Sequence, residues 1–356
     1  MLSFAKKLGW VILLPLLGCA PVNSGPVISD QMAYQEALYQ QQLAIDDYRD
    51  QIDRIMRIGY PILEKNAPLC AETQDGQRFH LGLHISTATF LSKVADVASS
   101  SRIDATPSIV YVTPNSPAEK AGFKPLDVIT HVNDQELNKT NLGKNIRQYI
   151  ELINDDKKSD TVKITVSRNG KAIARSLEKK KTCPYILLTE KSKEVNAFAD
   201  GNKIYITTAI ESLADKDQEL ALVIGHEMAH NTMEHINKKT ANVVLGSLAD
   251  VGIGILTGVQ SDLFTQVGAG AYTQSFEAEA DYYGIYYTAR AGYDVSEAPE
   301  LWRKMATKSP NSIHLEGSTH PSSAKRYLAL KASAEEIMEK KKKGQPLTPS
   351  HPKEIE

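Results

Sequence analysis

The feature that most constrains this 356-residue chain is the pentapeptide His226-Glu227-Met228-Ala229-His230, set inside a run that reads as one helix. Residues four apart on a helix lie one above the other, so the imidazoles at 226 and 230 face one point. Asp215 and the acidic residues just after it mark the start, and the spacing predicts a helix from Asp215 to about Lys238. The mostly apolar stretch Glu219 to Ile224 places the motif in a core. Two histidines so spaced can share a zinc ion, and Glu227 beside the first is then placed to take a proton from water without being a ligand.

A catalytic zinc ion needs a third protein ligand and an open position. The segment Ser275-Phe-Glu-Ala-Glu-Ala-Asp281 supplies carboxylates on a second helix, expected over Ser275 to Ala291. Glu277 and Asp281 are four apart and share a face, which suits Glu277 as the ligand and Asp281 as acceptor for the outer nitrogen of a ligand histidine. Glu279 falls on another face and reads as a solvated or structural carboxylate. His235, five residues past His230, reads as structural and turned away from the metal face.

The pair His226-Glu-Met-Ala-His230 and Glu277-Ala-Glu-Ala-Asp281, together with Asn196-Ala-Phe-Ala199 and Gly317-Ser-Thr-His-Pro321, resembles metallopeptidase family forty-eight. These are the gluzincins that include the HtpX, CAAX prenyl endopeptidase and BepA-like peptidases. The resemblance spans about residues 183–332 and implies one zinc ion per chain, with the first Glu of the Glu-x-x-x-Asp pattern as ligand. It also implies that the strand around Asn196, Ala197 and Phe198 holds substrate backbone, the alternative being ordinary sheet packing. His320 precedes Pro321 in a polar loop, where it stabilises the oxyanion, caps the metal in a resting state, or is a plain loop histidine.

Between about Phe79 and Cys183 the pattern changes to strands. Ser108 to Val112 is β-rich, Thr140 to Ile153 reads as an amphipathic helix, and Val162 to Val166 alternates strictly before Asn169-Gly170, a hairpin signal. The run from Val112 to Asn133 resembles a bacterial-type PDZ domain, with Leu126 where such domains usually carry glycine before Asp127. Leu81-Gly82-Leu83 looks like the loop that captures a peptide's terminal carboxylate, so peptide C-termini are the implied partners, unless the domain is only a spacer.

The N-terminus carries Lys6 and Lys7, the short apolar run Leu8 to Leu17, and Leu16-Leu17-Gly18-Cys19. The run is too short to span a bilayer, and its flanks are those of an export signal. The last four residues resemble the lipobox of bacterial lipoproteins, which implies a lipid on Cys19 and a membrane anchor. Ala20, rather than Asp, after that cysteine implies outer-membrane sorting. Loss of residues 1–18 takes the net charge from −2 to −4, which argues against a nucleic-acid partner. With Cys19 lipidated, Cys70 and Cys183 remain as an even pair in an oxidising compartment, joined across the base of the inserted domain or left as two buried thiols.

The expected architecture is α+β: a mostly helical gluzincin-type zinc peptidase domain with a small sheet, and an inserted PDZ-like β-rich domain. Its parts are a signal peptide (1–18), a tether (19–28), an N-terminal helix packing on the peptidase (29–70), the PDZ domain (71–182), the peptidase (183–335) and a charged, disordered tail (336–356). The Gly- and Ala-rich segment 243–272 reads as a buried or membrane-facing hairpin, because Asp250 and Asp262 interrupt it. The expected function is zinc-dependent proteolysis of unfolded or misassembled cell-envelope proteins. Its rivals are a chaperone-like outer-membrane assembly factor with a largely self-inhibited zinc site, and a PDZ adaptor with a vestigial one.

Overall fold

The computed structural model describes residues 25–71, 76–86, 107–137, 142–155, 159–238, 263–308 and 324–350. The chain divides into two compact units, one up to Gln42 and one from Leu43 onward. Helix α1 spans Asp30–Lys65, opened by Ser29, whose hydroxyl accepts the N–H of Met32 at 3.3 Å. Within the first unit this helix exposes Met32, Tyr34 and Tyr39. In the second it buries Tyr48, Ile52, Ile55, Gly59 and Ile62, a stripe at helical spacing.

Sequence spacing ends this helix near Ile58, yet it runs on through Pro61. An interior proline costs about 3 kcal/mol. Burying Tyr60, Ile62 and Leu63 around it outweighs that, since each such side chain contributes roughly 1.5–3 kcal/mol. Asn66 then ties the helix end down, donating to the carbonyls of Ile62 (2.8 Å) and Tyr287 (3.0 Å).

After α2 (Ala67–Cys70) the chain enters a β-rich region through a narrow neck. Strand β1 (Arg78–His80) pairs antiparallel with β8 (Lys180–Thr182), Arg78 opposite Thr182. Beside them Cys70 and Cys183 form a disulfide, with Cα atoms 5.4 Å apart. The cross-link closes a loop of separation 113, and such bonds contribute about 2–4 kcal/mol. Cys70→Ser should therefore lower thermal stability by that amount and abolish a mobility difference between oxidised and reduced protein on gels. Two freely alkylatable thiols in the folded wild type would contradict the bond.

Between the neck strands lies one sheet of β2 (Leu83–Ser86), β3 (Ser108–Val112), β4 (Val128–Val132), β6 (Thr161–Arg168) and β7 (Lys171–Glu178), in that order, with β5 (Gln135–Glu136) paired to β4. Helices α3 (Pro117–Lys120) and α4 (Leu142–Asp155) accompany it. Val162, Ile164 and Val166 all point into its core, and Asn169 and Gly170 turn the β6–β7 hairpin with φ of 51° and 76°. Leu126 adopts φ 73° while 75% exposed, so it takes the left-handed conformation that glycine takes freely. The turn survives because Asp127 anchors it, accepting from Lys124 N (2.9 Å) and from Arg168 Nε (2.6 Å) and Nη2 (2.7 Å). A left-handed non-glycine residue costs roughly 1–2 kcal/mol, and glycine gives back about 0.5–1 kcal/mol in unfolded-state entropy. Leu126→Gly should accordingly raise stability by about 0.5–1 kcal/mol, and a lowered melting temperature would contradict the strain.

The remaining chain builds a second core with α1. Strands β9 (Ile186–Glu190), β10 (Ala197–Ala199) and β11 (Lys203–Thr207) form a sheet of order β10-β11-β9, with β10 and β11 a hairpin and β9 parallel to β11. Around it pack α5 (Thr208–Leu213), α6 (Asp217–Thr232), α7 (Leu263–Arg290), α8 (Glu300–Lys308) and α9 (Ala324–Lys342). Tyr111 of β3 is buried in this core, so the PDZ-like sheet is attached to it by packing as well as by the neck.

Three expectations need correction. The cap of α6 is Lys216, not Asp215, whose carboxylate pairs with Lys304. That helix stops at Thr232, because Glu234 turns left-handed (φ 56°) before a further helical turn at 235–238. The tail is ordered well past 336: α9 reaches Lys342, and Lys340 Nζ then donates to Thr348 O (2.9 Å) and Ser350 Oγ (2.7 Å). Among the described residues no helix is long and apolar enough to cross a membrane. Residues 239–262, and with them most of the Gly- and Ala-rich segment, lie outside the described residues, as do residues 1–24, where the signal peptide and the lipidated Cys19 are expected.

Candidate metal centre

Helices α6 and α7 meet where both lack a side chain. A Cβ on Gly284 would lie 2.7 Å from the backbone N and Cα of His226, and one on Gly225 would lie 2.5 Å from Gly284 O. Only glycine permits this approach, and it sets the carboxylates of α7 directly against the histidines of α6. Nothing in the hydrophobic pattern singles these glycines out. The available signal is position, one residue before His226 and three after Asp281.

At the crossing, His226 Nε2 and His230 Nε2 stand 3.1 Å apart. Glu277 presents Oε2 to the first at 3.3 Å and Oε1 to the second at 3.2 Å. One ligand atom from each residue lies within 4.8 Å of the others, so the three converge on one point. Asp281 Oδ1 lies 3.0 Å from the outer nitrogen of His226, Nδ1. Glu227 is buried on α6 between the two histidines in sequence, and its charge acts on both His230 and Arg326.

Arg326, on α9, is the residue that motif reading missed. Its guanidinium donates from Nε to Asp281 Oδ2 (2.7 Å) and from Nη2 to Asp281 Oδ1 (2.8 Å), and Nη1 lies 3.0 Å from Glu277 Oε2. Trp302 lies against both Arg326, 5.5 Å from the ring centroid, and His226, ring to ring at 6.0 Å. A lone arginine early in a helix carries no spacing signal, so only the fold reveals it.

The charge of this cluster decides what it can hold. Glu227, Glu277 and Asp281 are all buried, and the one buried guanidinium among the described residues is Arg326. With both rings neutral, as metal ligation requires, two negative charges remain, which is costly in a dry interior unless a cation balances them. The same need shows in His226: burial works against charging its ring, but Asp281 and Glu277 push its pKa up to about 10. His230 is held below the ordinary value by burial. Two imidazoles and a carboxylate suit a divalent zinc ion in both charge and donor type.

Two residues set aside by spacing belong to this centre. The left-handed turn at Glu234 bends the chain so that His235, which a continuous helix would direct elsewhere, returns to His230. Its Nδ1 lies 2.9 Å from His230 Nδ1, and its Nε2 lies 2.9 Å from Glu279 Oε2.

Beside the centre, β10 is an edge strand, paired only with β11 among the described strands. Ala197 and Phe198 lie on it, and Asn196 immediately precedes it. Asn196 O accepts from Thr207 Oγ1 (2.7 Å), Ala197 is buried, and Phe198 stacks on Tyr205 at 4.5 Å. The hairpin tip is fastened to α6 next to the second histidine. Asn231 accepts from Gly201 N (2.7 Å) and donates to Lys203 O (3.2 Å).

In the PDZ-like unit, Leu81 and Leu83 are buried, and Gly82 has φ 82° with Ser116 filling the space of its missing Cβ. The N–H of Gly82 donates to His80 Nδ1 at 2.8 Å. His320 lies outside the described residues.

Residues 162–334 match the family model of Peptidase family M48, and residues 92–178 match that of the PDZ domain. The two overlap at 162–178, which the structure places in the PDZ sheet as β6 and β7. The Mitochondrial metalloendopeptidase OMA1 of Arabidopsis thaliana is 33% identical over 138 residues, covering 37% of this chain and 28% of that protein. Its Saccharomyces cerevisiae namesake is 30% identical over 144 residues, covering 37% and 41%. The Beta-barrel assembly-enhancing protease of Escherichia coli K12 is 28% identical over 139 residues, covering 34% and 28%. The chain spans less than half the length of each of these relatives.

Proposed function

We propose, from the premise that this chain is a member of peptidase family M48 carrying a PDZ domain, that it is a zinc-dependent endopeptidase of the cell envelope that cleaves unfolded or misassembled proteins. The observation that carries this reading is the convergence of His226, His230 and Glu277 at the α6–α7 crossing, with two buried negative charges left to balance. A zinc ion bound there supplies a Lewis acid that acidifies water and polarises a carbonyl.

The protein's own groups do the rest. Glu227 takes the proton of the attacking water and returns it to the departing amine. Asp281, locked by the bidentate Arg326, holds His226 by its outer nitrogen so that Nε2 faces the centre. The open edge of β10 pairs with an extended substrate backbone, which favours unfolded chains over folded ones. His320 in its polar loop is assigned to oxyanion stabilisation or to capping the metal at rest. The Leu81-Gly82-Leu83 loop is assigned to peptide C-termini, Cys19 to lipid anchoring, and the outer membrane, facing the periplasm, to the site of action.

The beta-barrel assembly in one relative's name supports the envelope setting and keeps one rival in view, an assembly factor for which hydrolysis is secondary. Comparing envelope proteomes of cells carrying wild type, no protein, and Glu227→Gln separates them. On the proteolytic reading, the substitution accumulates the same proteins as deletion. Full complementation by Glu227→Gln would transfer the role to the assembly reading.

A further inference from the structure

We infer that His235 and Glu279 form a relay that fixes the tautomer and orientation of His230, making both positioning residues for the metal centre. The inference rests on the zinc reading above and deepens it. His230 Nε2 faces Glu277 and His226, so a ligand lone pair is needed on that nitrogen and the ring proton must sit on Nδ1. That Nδ1 stands 2.9 Å from His235 Nδ1. Two ring nitrogens at this distance share one proton, so His235 Nδ1 accepts. The proton of His235 then sits on Nε2, which faces Glu279 Oε2 at 2.9 Å, and a carboxylate accepts it. Each link dictates the next.

Geometry holds the relay in place. His235 is buried, and Phe276 stacks flat on its ring, centroids 4.5 Å apart and planes within 14°. Phe276 and Glu279 flank Glu277 on α7, so one helix delivers both a ligand and the support for another. The two ligand histidines are thus held differently. His226 meets a carboxylate directly through Asp281, whereas His230 reaches one through an interposed imidazole.

Outer partners of metal-bound histidines typically contribute about 10–100-fold in metal affinity. Zinc affinity, measured on the full chain by chelator competition, should fall toward the upper end of that range in His235→Ala and toward the lower end in Glu279→Ala. Glu279→Gln should bind within a few-fold of wild type, because its amide oxygen accepts the same bond. With cobalt in place of zinc, the visible absorption bands should shift in His235→Ala and keep the wild-type shape in Glu279→Gln. A role in folding alone does not produce that split between Ala and Gln at an edge position. If His235→Ala fails to fold, the two Glu279 variants still decide. Equal zinc affinity and identical cobalt spectra across the folded variants would overturn the relay. Failure of the wild type itself to bind zinc would instead overturn the reading beneath it.

Discussion

Glu277→Ala should leave a folded protein that has lost its zinc. Removing one of three protein ligands takes away roughly a third of a binding free energy that for structural zinc runs to about 10–16 kcal/mol. The affinity then falls by about 10³-fold. A second effect adds to the first. Without Glu277, Arg326 keeps its bidentate pair with Asp281, but a carboxylate that offsets a dication at the centre is gone. Elemental analysis of dialysed protein checks this: about one zinc per chain in wild type and near none in the variant. Zinc retained by Glu277→Ala would remove Glu277 from the ligand set.

Glu227→Gln should do the reverse, keeping zinc and losing hydrolysis. The amide matches the carboxylate in size, so the packing of α6 is kept, but it has no lone pair basic enough to take a proton from water. General-base catalysis contributes roughly 10²- to 10⁴-fold, and kcat should fall by that factor while zinc content and melting temperature hold. Loss of zinc in this variant would make Glu227 a ligand or a structural group instead.

The convergence of His226, His230 and Glu277 is legible in the chain because all three lie in short motifs whose helical spacing fixes direction. His226, His230, Glu277 and Asp281 each follow from the rule that residues four apart share a face. The PDZ-like segment was legible for a similar reason, through the alternation of Val162 to Val166 and the Asn169-Gly170 turn. What escaped was tertiary. Arg326 comes from a third helix, and its role exists only once α9 is packed. A continuous helix would turn His235 away from the metal face, and the break at Glu234 that returns it to His230 involves no glycine or proline to announce it. Pro61 lies inside the first helix, carried through by burial on both sides.

Hydrolysis by the purified protein, stripped of metal and reloaded, tests the central claim most directly. An unfolded polypeptide with no secondary structure of its own serves as substrate, and products are mapped by mass spectrometry. The account predicts internal cleavages by wild type, their loss on chelation, their return with one equivalent of zinc, and none from Glu227→Gln. Cleavage that survives complete zinc removal, or that Glu227→Gln performs at the wild-type rate, would contradict it.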